Sequence, residues 1–108
     1  DFTYIDNVIQ ANLLSLVTTN EKAINTVYNV AYGDRNTLND LMGYLKDYLS
    51  EFDSKILNID VIYGPNRAGD IPHSHASVQK AKNLLKYNPQ FSLQQGLKQA
   101  VQWYWENL

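Results

Sequence analysis

The sequence predicts a mixed α/β unit of about four helices and three short strands. Three observations lead there. Apolar residues recur at helical spacing in four stretches, β-rich apolar runs lie between them, and Gly, Pro and polar clusters separate the two kinds of segment. At 108 residues the chain is expected to form a single unit, residues 1–108.

The elements follow in order. "DFTYI" alternates Phe2 and Tyr4 with the β-branched Thr3 and Ile5, a strand pattern. The chain opens inside that pattern without an initiator Met, which suggests a piece of a longer protein. Asp6 offers an N-cap, and Val8, Ile9, Leu13, Leu16 and Val17 mark the first helix. "TTNEKAIN" is a polar loop, and "TVYNVAYG" reads as a short strand ended by Gly33. Thr37 and Asp40 form a capping box ahead of "LNDLMGYLKDYL", whose expected buried stripe is Leu38, Leu41, Met42, Leu45 and Leu49. "ILNIDVIY" is nearly continuous in apolar residues, as a strand buried on both faces would be. Ser77 is expected to cap a third helix carrying Val78, Ala81, Leu84 and Leu85, which "KYNPQF" stops because Pro89 cannot continue a helix. Ser92 and Gln95 make a second capping box, and Leu93, Leu97, Ala100, Val101, Tyr104 and Leu108 line the last helix.

Composition narrows the function. Hydrophobic residues at 44% and charged residues at 19% describe an ordinary folded domain. A net charge of −2 offers no electrostatic case for binding nucleic acid or an anionic membrane. The absence of cysteine excludes disulfides and thiolate metal sites and fits a cytoplasmic location. No apolar run approaches the roughly 20 residues of a membrane span.

The segment "GPNRAGDIPHSHAS", Gly64 to Ser77, carries the candidate chemistry. Arg67 can fork onto phosphate oxygens and Asp70 can accept from vicinal ribose hydroxyls, with Gly69 admitting a close ligand. The same two residues can equally pair with each other or face solvent. His73 and His75 lack a third ligand, so no metal site is expected and they read as solvated or capping histidines. Arg35, ahead of a helix N-terminus, is either an anion contact or a surface residue. Trp103, Tyr104 and Trp105 read as core and domain-interface packing. There is no G-x-G-x-x-G, no tyrosine followed four residues later by lysine, and no G-x-S-x-G.

In order, "DFTYIDNVIQANLLS", "VYNVAYGDRNTLNDL" and "RAGDIPHSHASVQKAKNLLKYNPQFSLQQGLKQAVQWY" resemble the C-terminal part of the extended short-chain dehydrogenase/reductases that epimerise or dehydrate nucleotide sugars. The likeness is strongest to bacterial UDP-N-acetylglucosamine 4-epimerases, through "YNVAYGDRNTLNDL" and "RAGDIPHSHAS". The resemblance implies the C-terminal lobe of a Rossmann-type epimerase, with the N-terminal NAD-binding lobe and its catalytic tyrosine, lysine and serine or threonine absent from this chain. It implies that Arg67 contacts the UDP diphosphate, Asp70 the uridine ribose, and Asn29 the nucleotide end of the pocket. An arginine that the family carries immediately before the position of Asp1 is not included. Catalytic, cofactor and metal residues are therefore expected to be absent here, and the isolated chain to be inactive. It is also expected to self-associate non-natively through the strand at Phe2–Ile5. Other readings are the same lobe of a UDP-glucose or UDP-glucuronate epimerase or of a dehydratase, and a non-catalytic helical interaction module.

Overall fold

A computed structural model describes residues 1–108. It contains four α-helices: α1 (Ile5–Val17), α2 (Leu38–Ser50), α3 (Gln79–Leu85) and α4 (Leu93–Asn107). Extended segments and two 3₁₀ turns, Glu21–Ala23 and Ser54–Asn58, connect them.

The expected mixed α/β unit is not what forms. The fold is all-helical, and none of the three predicted strands is present. A strand exists only when a neighbour supplies its ladder, and here no neighbour does. Tyr4 is extended (φ −72°, ψ 143°) yet serves as the N-cap of α1. "ILNIDVIY" winds its first residues into the second 3₁₀ turn, and the remainder runs extended and largely exposed from Ile59. "TVYNVAYG" makes no backbone–backbone hydrogen bond. Side chains replace the missing ladder there. The carbonyl of Val27 accepts from Lys80 Nζ at 2.9 Å, that of Ala31 from the Tyr87 hydroxyl at 2.8 Å, and that of Gly33 from His75 at 3.1 Å.

The helix ends show which local signals acted alone. Both capping boxes form, Thr37 with Asp40 and Ser92 with Gln95. Hydrogen bonds from the Thr37 backbone and hydroxyl hold the Asp40 carboxyl below its ordinary range. Asp6 and Ser77 do not cap: α1 begins one residue before Asp6, and the N-cap of α3 is Val78, with no side-chain bond. Asp6 instead occupies the first turn of α1, where a carboxylate suits the helix dipole. The end of α3 is set by Lys86 in left-handed geometry (φ 61°), with the Tyr87 N–H on the Ala81 carbonyl, and not by Pro89.

One core cluster gathers Ala11, Ala31, Val78, Ala81 and Tyr87, with Leu14, Tyr28, Val30 and Ala76 against it. It joins α1 and α3 to the Val27–Gly33 segment. Asn7 on α1, 1% exposed, donates to the Phe91 carbonyl at 2.7 Å and accepts from the Gln90 and Phe91 N–H groups at 2.9 and 3.1 Å. Gln10, one turn on, donates to the Asn88 carbonyl and accepts from its N–H. Two amide side chains thus treat Asn88–Phe91 as a partner strand would. At α4 the Tyr4 side chain crosses so near Gly96 that a Cβ there would lie 2.6 Å from Tyr4 Cβ, so glycine is required for the approach.

The apolar stripes mostly remain open. α1 buries Asn7 and Ala11 and turns Ile5, Ile9, Leu13, Leu16 and Val17 outward, with Leu16 81% exposed. α2 buries no residue completely: of its predicted stripe, Leu41, Leu45 and Leu49 are partly buried, and Leu38 and Met42 are exposed. Trp103, Tyr104 and Trp105 are exposed and not core; Trp105 stacks on Phe52 at 5.2 Å and Trp103 meets Tyr104 edge-on. The radius of gyration is 17.0 Å, against about 13 Å for a compact domain of this length. The accessible surface is 8269 Å², roughly 2,100 Å² above that of a folded monomer of 12.4 kDa. No helix is long and apolar enough to cross a membrane.

Candidate functional site

Arg67 and Asp70 sit on one tight turn. The Asp70 N–H reaches the Arg67 carbonyl at 3.3 Å, and Gly69 takes φ +88° at the third position, which glycine accepts without strain. The turn brings the side chains to the same side, with Arg67 Nε 3.5 Å from an Asp70 carboxylate oxygen. They are 86% and 57% exposed and make no other side-chain bond. An ion pair this open is worth at most about 1 kcal/mol, so an incoming anion can replace it at little cost.

Asn29 lies elsewhere, on the segment packed over the core. It is exposed, and its amide donates to the Ser77 carbonyl at 3.4 Å. No hydrogen bond or ion pair joins it to Arg67 or Asp70. Beside it opens a cleft of about 360 Å³ between Tyr32–Gly33 and His75–Gln79, with Lys82 at its edge. The Gly64–Ser77 segment therefore presents its arginine and carboxylate at one end and forms the cleft wall at the other.

Gly33 is the hinge of that wall. It takes φ +92°, its N–H donates to Asp1 Oδ2 at 3.2 Å, and its carbonyl meets His75 Nε2 at 3.1 Å. The sequence reading treated His75 as solvated or capping and assigned no role to Lys80 or Tyr87. All three hold the segment that carries Asn29. The signal that points to Tyr87 is its place between a helix end and Pro89, where a side chain leaves the helix face for the core. Arg35 takes part only through its backbone N–H, on Asp34 at 2.9 Å. No three His, Asp or Glu side chains cluster as metal ligands, and His73 makes no hydrogen bond.

No model of a known protein family matches the chain. Individual proteins do. A UDP-glucuronate 4-epimerase of Arabidopsis thaliana is 33% identical over 96% of this chain and 25% of its own length. The chain is related to UDP-sugar 4-epimerases. A UDP-glucuronate 4-epimerase of Thermodesulfobacterium geofontis is 29% identical over the whole chain and 31% of that protein. A UDP-N-acetyl-alpha-D-glucosaminuronate decarboxylase of Bacillus cytotoxicus is 26% identical over 97% of the chain and 32% of that protein. The chain thus spans a quarter to a third of the length of these relatives, and their shared feature is a UDP-linked sugar.

Proposed function

We propose that this chain is the UDP-holding lobe of an NAD-dependent UDP-N-acetylglucosamine 4-epimerase, interconverting the gluco and galacto epimers. Arg67 takes the diphosphate, Asp70 the ribose hydroxyls, and Asn29 the nucleotide end. The observation that supports this most is the Arg67–Asp70 turn, a planar cation and a carboxylate held side by side by Gly69 with no partner but each other. A diphosphate satisfies the guanidinium better than one exposed carboxylate does, and the freed carboxylate then accepts from hydroxyls.

This chain's own residues do not fit the cofactor, for it has no glycine-rich turn between a strand and a helix. NAD and the catalytic groups belong, on this reading, to the rest of a longer protein. The extended Val27–Gly33 segment would complete its pairing against a sheet there. Binding UDP on one lobe while the hexose reorients on the other keeps remote binding energy constant through the reaction. UDP-glucuronate is the second reading for the sugar, favoured by the names of the relatives.

Titration calorimetry of the 108-residue chain with UDP, UDP-N-acetylglucosamine and UDP-glucuronate tests the proposal. Arg67→Ala is expected to weaken all three by roughly 1.5–3 kcal/mol, and Arg67→Lys to recover only part of the loss. Affinities unchanged in Arg67→Ala would remove the diphosphate role. An affinity for one UDP-sugar well above that for UDP alone decides between the two sugars.

A further inference from the structure

Between Tyr63 and Val78 the chain has no helix and little burial, so something must set where Arg67 and Asp70 lie. Two side-chain cross-links do so at its exit, next to a bond from the Asp1 amino group to the Ser74 carbonyl. His75 Nε2 lies 3.1 Å from the Gly33 carbonyl, and the Asn29 amide lies 3.4 Å from the Ser77 carbonyl. Positions 33 and 29 face positions 75 and 77 in opposite chain order, so the two links behave as an antiparallel clasp. Gly33 is itself held by the Asp1 carboxylate on its N–H, and Ala31, two residues earlier, by the buried Tyr87 hydroxyl. One side of the clasp is therefore anchored in the core, and the other is the loop that carries the arginine and carboxylate.

We infer that His75 is a positioning residue, whose ring anchors the Gly64–Ser77 loop to Gly33 and so sets Arg67 and Asp70 relative to Asn29 for nucleoside diphosphate binding. The inference deepens the proposed function and rests on it. A carbonyl only accepts, so the ring must carry its proton on Nε2. Nδ1 of the neutral ring is then the free acceptor. Losing a neutral hydrogen bond of this kind lets the loop sample more conformations, and the ligand must pay that ordering when it binds.

The test uses the 108-residue chain with His75→Ala and His75→Gln, the second keeping an amide donor. Ring nitrogen shifts are expected to place the His75 proton on Nε2. Backbone relaxation is expected to show Ile71–Ser77 ordered in the wild type, mobile on the nanosecond scale in His75→Ala and restored in His75→Gln, with helix content equal in all three. UDP affinity is expected to fall about fivefold in His75→Ala and to stay within about twofold in His75→Gln. A proton on Nδ1, or a loop equally ordered in His75→Ala, overturns the clasp. A loosened loop with unchanged UDP affinity keeps the clasp and overturns its role in positioning. A wild-type chain that binds no UDP defeats the nucleotide reading instead, and relaxation alone then decides the clasp.

Discussion

Two regions of this molecule are held together by different physics. The first joins α1, α3, Val27–Gly33 and Asn88–Phe91 around buried Ala11, Ala81 and Tyr87. Its hydrogen bonds run from side chains to backbone groups more than fifty residues away. The second joins α2, the Ser54–Asn58 turn and the body of α4. There the polar and aromatic links are an exposed Phe52–Trp105 stack, a Lys98–Glu51 pair at 3.9 Å and a Lys46 bond to the Ile59 carbonyl at 2.6 Å. The Asn7 and Tyr87 bonds of the first region are shielded from water, so losing either one leaves shielded polar groups unpaired. The second keeps its partners wet, so water replaces whatever is lost.

The largest expected effect is at Asn7. Asn7→Ala removes three bonds at once and strands the Gln90 and Phe91 N–H groups and the Phe91 carbonyl. We expect a loss of about 3 kcal/mol in urea denaturation. A loss no larger than that of a surface substitution would erase the distinction between the regions.

Tyr87→Phe sharpens the comparison by deleting one oxygen. Tyr87 is 2% exposed and its hydroxyl is the partner of the Ala31 carbonyl. A cost of about 1–1.5 kcal/mol is expected near neutral pH. Burial also pushes the Tyr87 phenol above its ordinary value of 10.0. The folded state therefore favours the neutral form, and the resulting stability is fully present below pH 10.0 and lost as pH rises through the higher folded value. Alkaline unfolding should accordingly be less steep in Tyr87→Phe than in the wild type, which parallel denaturation curves at neutral and alkaline pH will show.

The smallest effect belongs to the second region. Lys98 and Glu51 are both mostly exposed, and Lys98→Ala should change stability by less than about 0.5 kcal/mol. Thermal melts at low and at high salt check this, since screening should remove even that difference. A cost near that of Asn7→Ala would mean that α2 and α4 depend on each other as firmly as the first region does.

Helical spacing of apolar residues does not fix which face is buried. On α1 Ile9, Leu13 and Leu16 recur at that spacing, yet the helix turns Asn7 and Ala11 to the core. Periodicity locates a stripe and cannot say which surface covers it. The inward face of α1 meets two surfaces: α3 and Tyr87, where the small Ala11 fits, and the backbone at Asn88–Phe91, whose open N–H and carbonyl groups demand an amide. On α3 the stripe and the core agree, with Val78, Ala81 and Leu85 all buried, because its apolar neighbours lie within this same chain. The candidate site divides in the same way. Arg67, Gly69 and Asp70 were legible because one four-residue turn brings them together. His75, Lys80 and Tyr87 were not, because their partners lie 42, 53 and 56 residues away.

What the sequence by itself determined is local: four helices, both capping boxes, and the adjacency of Arg67 to Asp70. Those depend on bonds closed within a few residues, which composition and spacing control directly. Tertiary structure alone decided that "DFTYI", "TVYNVAYG" and "ILNIDVIY" form no sheet and that α1 shows its apolar face outward. It also decided that His75 meets Gly33. A ladder, a buried face and a clasp each need a second surface at a distance, and nothing in a run of residues says whether that surface will be there.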